Sequence, residues 1–228
     1  MKEAYSISKI LRVRKAAIFD IDGTIIKGIS SERVLFYYLL EKKVINFRSL
    51  LRFAAAFLRK GLSLKGLSVR KNKYYLRDND YEDIIGNIEE CFHKRILPYI
   101  SEYALQEIKR LKNEGYLIIL LSGTLSPMVE CFTKVCNADI GIGTKLAVDN
   151  EGRITGEIDG IHSYCGGKVK IIERLVSEYS LDLSSSYGFG NAYVDVKFLR
   201  MVGYPVAVNA SPMLWLYASA NKWKMVTF

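Results

Sequence analysis

Residues 16–26 read AAIFDIDGTII. The apolar run from Ala16 to Phe19, continued at Ile21, has the length and composition of a buried strand. It nevertheless closes on two carboxylates, Asp20 and Asp22. A buried carboxylate is costly unless a cation or hydrogen-bond donors compensate its charge. Either the run stops being buried at Asp20, or such partners wait there. On an extended segment, residues two apart face the same side, so Asp20 and Asp22 are expected together. Two close carboxylates raise the proton affinity of one of them unless a cation offsets the pair. Gly23 permits a sharp turn after them, and Thr24 can cap the next segment.

Outward from this strand the pattern changes twice. Residues 30–95 contain no proline, and apolar residues recur at helical spacing: Val34, Leu35, Tyr38, Leu39, then Leu50, Leu51, Phe53, Ala54, Phe57, Leu58. That spacing predicts several helices, broken near Gly61, Gly66 and Asp78-Asn79-Asp80. After Pro98, helices and strands alternate. A helix is expected over 101–114, opened by Ser101 and closed by Gly115. A strand follows at 116–122, a helix at 126–136 and a hairpin at 144–160 around Asp-Asn-Glu-Gly. Beyond it come a helix at 167–179, a strand at 186–190, a helix at 193–202, a strand at 205–208 and a short helix at 212–220. Such alternation argues for an α/β fold, a Rossmann-like parallel sheet with helices on both faces. The expected organisation is a core of residues 1–26 and 96–228, with an all-helical cap, residues 27–95, inserted after the first strand. Ligands of open parallel sheets bind beyond the carboxyl ends of the strands, and that is where the insert leaves.

The 228 residues carry a net charge of +9, unevenly placed. Residues 27–77 hold thirteen Lys or Arg against Glu32 and Glu41, a net of +11, which leaves the remainder at −2. A basic insert on a near-neutral body implies an anionic partner for the insert. No nucleic-acid-binding motif accompanies the charge, so nucleic acid is not expected. The four cysteines (Cys91, Cys131, Cys136, Cys165) form no CxxC pair, and with only His93 and His162 to help them a zinc site is not expected. Scattered cysteines suit a reducing, cytoplasmic setting. The opening MKEAYSISKILRVRK is too interrupted by charge for a signal peptide. No uncharged apolar run reaches about 18 residues, the minimum for a transmembrane helix.

Three strand ends carry polar loops of one kind. The first ends in Asp20-Ile21-Asp22-Gly23-Thr24. The second ends in Ser122-Gly123-Thr124, where a hydroxyl and backbone N–H groups opening a helix can bind an anion or simply cap it. The third ends in Gly188-Phe189-Gly190-Asn191, with Asp195 four residues on. A dinucleotide fingerprint is excluded there because the third glycine is missing. Lys168 falls in the first turn of its helix, where a cation opposes the helix dipole unless an anion answers it. In a parallel sheet these strand ends lie at one edge, where they would bring together two acids, a hydroxyl, a lysine, an amide and a further acid.

The string FDIDGT resembles the first motif, DxDGT, of the haloacid dehalogenase-like hydrolase superfamily. Ser122 in LLSGT is similar to its second motif, Lys168 to its third, and Gly190-Asn191 with Asp195 to its fourth. The insert after the first motif, the string KLAVDNEGRITGEIDG and the closing GYPVAVNASP resemble the phosphoserine phosphatase-like subgroup. The resemblance implies phosphoryl transfer through an aspartyl-phosphate. Asp20 would be the nucleophile, Asp22 the acid and base, and Lys168 a catalytic cation. Gly23, Thr24, Ser122, Gly123 and Lys168 would hold the phosphate. Mg²⁺ would be bound by Asp20, Asp22 (through its backbone carbonyl), Asn191 and Asp195. Two departures stand out: Asn191 replaces the usual first acid of the fourth motif, and Ile29 stands where phosphoserine-specific members carry an acid, with Ser30, Ser31 and then Glu32 following.

The insert would set specificity. Its stretch 44–60, VINFRSLLRFAAAFLRK, is apolar with Arg48, Arg52 and Arg59 one or two turns apart. This stretch suits the insert's own small core or a membrane surface. The expected partner is accordingly a phosphorylated small molecule or a lipid head group such as phosphatidylglycerophosphate. In the lipid case the protein would sit peripherally on the inner membrane face.

Overall fold

The computed structural model describes residues 13–45, 51, 73–161 and 166–228. Most of the basic stretch 44–60, the glycines at 61 and 66, His162 and Cys165 lie outside them.

The strand expected at the opening motif is β1 (Ala16–Phe19), fully buried. It sits at the centre of a seven-stranded sheet with β2 (Leu117–Leu125), β3 (Ile140–Val148), β4 (Ile154–Asp159), β5 (Tyr187–Gly190), β6 (Tyr204–Val208) and β7 (Lys224–Val226). The order is β4-β3-β2-β1-β5-β6-β7. All pairs are parallel except β3–β4. Alternation along the central strands fills both faces. Ala17, Phe19, Ile118 and Leu120 join one core, Ala16, Ile18, Ile119 and Leu121 the other. The first core is closed by α1 (Ser31–Glu41), α2 (Tyr81–Cys91), α3 (Glu102–Asn113) and α4 (Ser126–Val135). The second is closed by α5 (Gly166–Tyr179), α6 (Val196–Leu199) and α7 (Pro212–Ala220).

Register places the chemistry. Phe19 pairs with Leu120 on one side and with Phe189 on the other, its ring stacked on Phe189 at 4.1 Å. β1 and β5 therefore finish close to one level, and Ser122, two residues beyond Leu120 within β2, runs beside the residues that follow them.

Several elements differ from the sequence expectations. Ser122-Gly123-Thr124 is not a turn but an irregularity inside β2, where the register with β3 shifts between Leu121 and Leu125. The helix behind it starts only at Ser126, with no side-chain cap. β3 begins at Ile140 rather than 144, so the hairpin strand pairs with β2 through its first half. The segment expected as a helix over 193–202 is one 3-10 turn, Tyr193–Asp195, followed by the short α6. β7 was not expected at all. The break near residues 78–80 is an N-cap: the Asp80 carboxylate accepts from the N–H groups of Glu82 (2.9 Å) and Asp83 (3.2 Å).

The stretch leading into that cap is not helical throughout either. Residues 73–81 run beside β4, through Lys73 N–H to Gly156 O (2.8 Å), Asp78 N–H to Ile154 O (2.9 Å) and Ile154 N–H to Asn79 O (2.9 Å). They cover an edge that would otherwise expose unpaired backbone groups. Gly156 makes the approach possible: it has φ +85°, and a Cβ there would lie 2.9 Å from Tyr74 Cα.

Candidate active site

A cleft of about 560 Å³ opens at the carboxyl ends of β1, β2 and β5. Eight of the nine expected site residues line it: Asp20, Asp22, Gly23, Ser122, Gly123, Lys168, Asn191 and Asp195. Thr24 does not. Its side chain is fully buried and its N–H is bonded to Ile21 O (3.1 Å), which removes it from a phosphate-binding role. The Gly23 N–H is also taken, by Ile26 O at 2.7 Å. Gly23 serves through shape instead. It adopts φ +81°, and a Cβ there would fall 1.9 Å from the Asn191 amide nitrogen.

The centre of the site is one ammonium shared by two acids. Lys168, in the first turn of α5, is 3 % exposed. Its Nζ donates to Asp20 Oδ1 at 2.5 Å and to Asp195 Oδ1 at 2.8 Å, with the Phe198 ring 5.0 Å away. Asp195 Oδ2 accepts from Ala192 N–H (3.2 Å), so both of its oxygens are engaged and it holds Lys168 in place. Burial pushes the Asp20 carboxyl up to about 7, with Lys168 pulling it back and the charge on Asp195 adding to the rise. Burial pulls the Lys168 ammonium down, but Asp20 and Asp195 outweigh it and leave it above its ordinary value.

Asp22 is held separately, from the insert side. Ser31 donates to Asp22 Oδ1 through its hydroxyl (2.7 Å) and its N–H (3.0 Å), and Ser30 donates to Oδ2 (3.0 Å). Burial raises the Asp22 carboxyl, and the Ser31 and Ser30 bonds oppose that rise. A carboxyl so placed can exchange a proton with a group bound beside Asp20. On β2, Ser122 is 3 % exposed and its Oγ accepts from Thr124 N–H at 3.3 Å.

Four contributors have no signal of their own in the sequence. Ser30 and Ser31 stand beside Ile29 in the sequence, and nothing there marks them as the holders of Asp22. Asn209, in the string VAVNASP, donates from Nδ2 to Gly23 O (3.1 Å) and steadies the turn. Lys73 pairs with Glu32, which lines the cleft. No spacing rule links residues so far apart.

Mg²⁺ can be tested against these donors. Among the described residues no group of three or more His, Cys, Asp or Glu side chains is placed to hold a metal. The oxygens on hand are Asp20 Oδ2, which no described residue bonds, the Asp22 carbonyl and the Asn191 side chain. All are hard donors, and Asp20 with Asp195 carries one more negative charge than Lys168 supplies. A cation that takes one or two carboxylates and completes its shell with water and phosphate oxygens fits this set.

Known proteins resemble this chain in sequence and in fold. The family model for haloacid dehalogenase-like hydrolase matches residues 17–200. The chain is 29 % identical to the inhibition of morphological differentiation protein of Streptomyces azureus, over 94 % of this chain and 79 % of that one. It is 28 % identical to the phosphoserine phosphatase of Methanocaldococcus jannaschii, over 64 % of this chain and 66 % of that one. A crystal structure of a protein of unknown function from Bordetella pertussis shares the fold, with a TM-score of 0.79 and 23 % identity over 94 % of this chain and 98 % of that one.

Proposed function

The chain belongs to the haloacid dehalogenase-like hydrolases, and on that premise we propose that it is a phosphomonoesterase working through an aspartyl-phosphate on Asp20. The observation that carries the reading is the buried Lys168 ammonium bonded to both Asp20 and Asp195, with Asp22 lining the same cleft. An Asp20 Oδ attacks phosphorus as the bond from phosphorus to the alcohol oxygen breaks. Asp22 gives its proton to the departing alcohol. Asp22 then takes a proton from water as that water attacks phosphorus, the Asp20–phosphorus bond breaks, and phosphate leaves. Splitting one slow displacement into two is what a carboxylate nucleophile supplies, and phosphate-monoester hydrolysis is among the slowest uncatalysed reactions. Lys168 and Ser122 meet the phosphoryl oxygens. Bound Mg²⁺, on Asp20, the Asp22 carbonyl and Asn191, would add positive charge to those oxygens and restore Asp20 to its ionised form.

Residues 27–95 act in this reading as a cap on a core of residues 1–26 and 96–228. The grip of Ser30 and Ser31 on Asp22 supports that division, since it ties the first residues of the insert to the reaction centre. The substrate is a phosphorylated small molecule, and the relatedness to a phosphoserine phosphatase supports that class. A lipid head group at a membrane surface is favoured by the +11 charge of residues 27–77 and by the apolar, Arg-bearing stretch 44–60, most of which lies outside the described residues. Among the described residues no helix is long and apolar enough to cross a membrane. Cys91, Cys131 and Cys136 are free and buried, in keeping with a reducing, cytoplasmic setting.

Hydrolysis of p-nitrophenyl phosphate with Mg²⁺, with Asp20→Asn as control, tests the reading. The variant is expected to lose about 10⁴-fold or more of the rate, the scale on which removing a nucleophile acts. Equal rates for the two proteins would defeat the proposal.

A further inference from the structure

The wall of the cleft facing the reaction centre belongs to α1 and the residues before it. Glu32, Arg33 and Tyr37 line it, with Ile29 and Val34 as its apolar part. Glu32 is the obvious receiver for a positively charged substrate, but its charge is already answered. The Lys73 ammonium bonds Glu32 Oε1. The Lys73 side chain is 0 % exposed. A buried ammonium cannot give up its counter-ion without a large desolvation cost, so an incoming amine would compete for an occupied acid.

Arg33 is in the opposite position. It is exposed on the same wall and makes no ion pair among the described residues. Tyr37 lies one turn further along α1 and is 58 % exposed. The whole stretch 42–77 contains no acid to neutralise either neighbour. With Glu32 and Lys73 cancelling, the α1 residues of the wall carry one net positive charge among the described residues, on a guanidinium whose planar fork matches carboxylate and phosphate oxygens.

We propose that this wall selects phosphomonoesters whose alcohol part carries a second anionic group, met by Arg33 beside Tyr37, and that the Glu32–Lys73 pair makes the site indifferent to an amine. The inference rests on the phosphomonoesterase reading above. The second anion can belong to a free metabolite or to the phosphodiester of a lipid head group, which present the same chemistry to Arg33.

Four esters of similar size separate the possibilities, assayed on the full chain with Mg²⁺: p-nitrophenyl phosphate, 2-hydroxyethyl phosphate, phosphoethanolamine and phosphoglycolate. The expected kcat/KM for phosphoglycolate exceeds that for 2-hydroxyethyl phosphate by about tenfold, the worth of one charge-assisted contact. Phosphoethanolamine is expected at or below 2-hydroxyethyl phosphate. Arg33→Met should bring the phosphoglycolate advantage below about twofold, chiefly through KM. Lys73→Met should free Glu32 and raise phosphoethanolamine about tenfold relative to 2-hydroxyethyl phosphate. Should that buried substitution prevent folding, the exposed Arg33→Met still decides. Phosphatidylcholine vesicles carrying phosphatidylglycerophosphate distinguish the sources: faster turnover there than of phosphoglycolate assigns the lipid, slower turnover the metabolite. A wild-type preference for phosphoethanolamine, or an unchanged phosphoglycolate ratio in Arg33→Met, overturns this inference alone. Failure to hydrolyse any ester, p-nitrophenyl phosphate included, overturns the phosphomonoesterase reading and this inference with it.

Discussion

Among the described residues two lysines are buried around one cleft, and they are balanced differently. Lys168, at the sheet's carboxyl edge, divides one positive charge between Asp20 and Asp195. Lys73, behind the insert wall, meets the single charge of Glu32. With Asp20 ionised the first arrangement leaves one negative charge over, while the second leaves none. In the reading proposed above, one side of the cleft receives the phosphoryl group, and on the other Arg33 is the cation left unpaired among the described residues. A buried ion pair is weak evidence for stability. Here the difference between the two pairs points to use.

Breaking the pairs one at a time should separate them. Lys168→Met leaves two buried acids without a cation. The expected result is a loss of about 10³-fold in kcat/KM, as for removal of a group that stabilises developing charge. Urea unfolding of the same variant without metal should show a stability loss of about 3 kcal/mol or more. Asp22→Asn should cost about 10²-fold or more in kcat on an alkyl phosphate, whose alcohol must be protonated to leave. The effect should be smaller on p-nitrophenyl phosphate, whose phenolate leaves without help. Lys73→Met should lose only about 1–2 kcal/mol in urea, because Glu32 retains 24 % exposure and can be hydrated. If Lys73→Met proved as damaging as Lys168→Met to turnover of p-nitrophenyl phosphate, the two pairs would not be distinct in role.

A further effect is in pH. Burial holds the Asp20 carboxyl at about 7 against an ordinary 3.8 in the metal-free protein. Between those values the folded state binds more protons than the unfolded chain, so this group's contribution makes stability fall as pH rises. Glu90, held down to about 2 by Lys94 and Lys42, acts in the opposite sense and loses stability as pH falls through the acid range. The difference between wild type and Asp20→Asn isolates the first contribution. In EDTA, wild type should lose stability relative to the variant from about pH 4 to 7, and saturating Mg²⁺ should flatten that slope.

The two regions were also unequally legible. Around Lys168 the sequence speaks locally: an apolar run ends in Asp20 and Asp22, a lysine opposes its helix dipole, and Asp195 follows a short glycine-rich strand. Parallel-strand geometry then gathers these residues at one edge, and the strands and helices of the core follow from the same alternation. The first half of β3 was hidden because Ile140-Gly141-Ile142-Gly143 looks like a loop. Its glycines answer close packing, since a Cβ at Gly143 would lie 2.8 Å from the Ser126 backbone. β7 is three residues long, too short for any periodicity. On the insert side, the Glu32–Lys73 pair depends on residues 73–81 lying along β4, and no local pattern announces that.

The account stands or falls on a covalent bond at Asp20. Acid quenching during turnover, borohydride reduction of any acyl phosphate and peptide mass spectrometry would locate it. Reduction to the corresponding alcohol at position 20 alone, absent from Asp20→Asn, is the predicted result. Turnover with no modified residue, or modification at Asp22 or Asp195 instead, would contradict it.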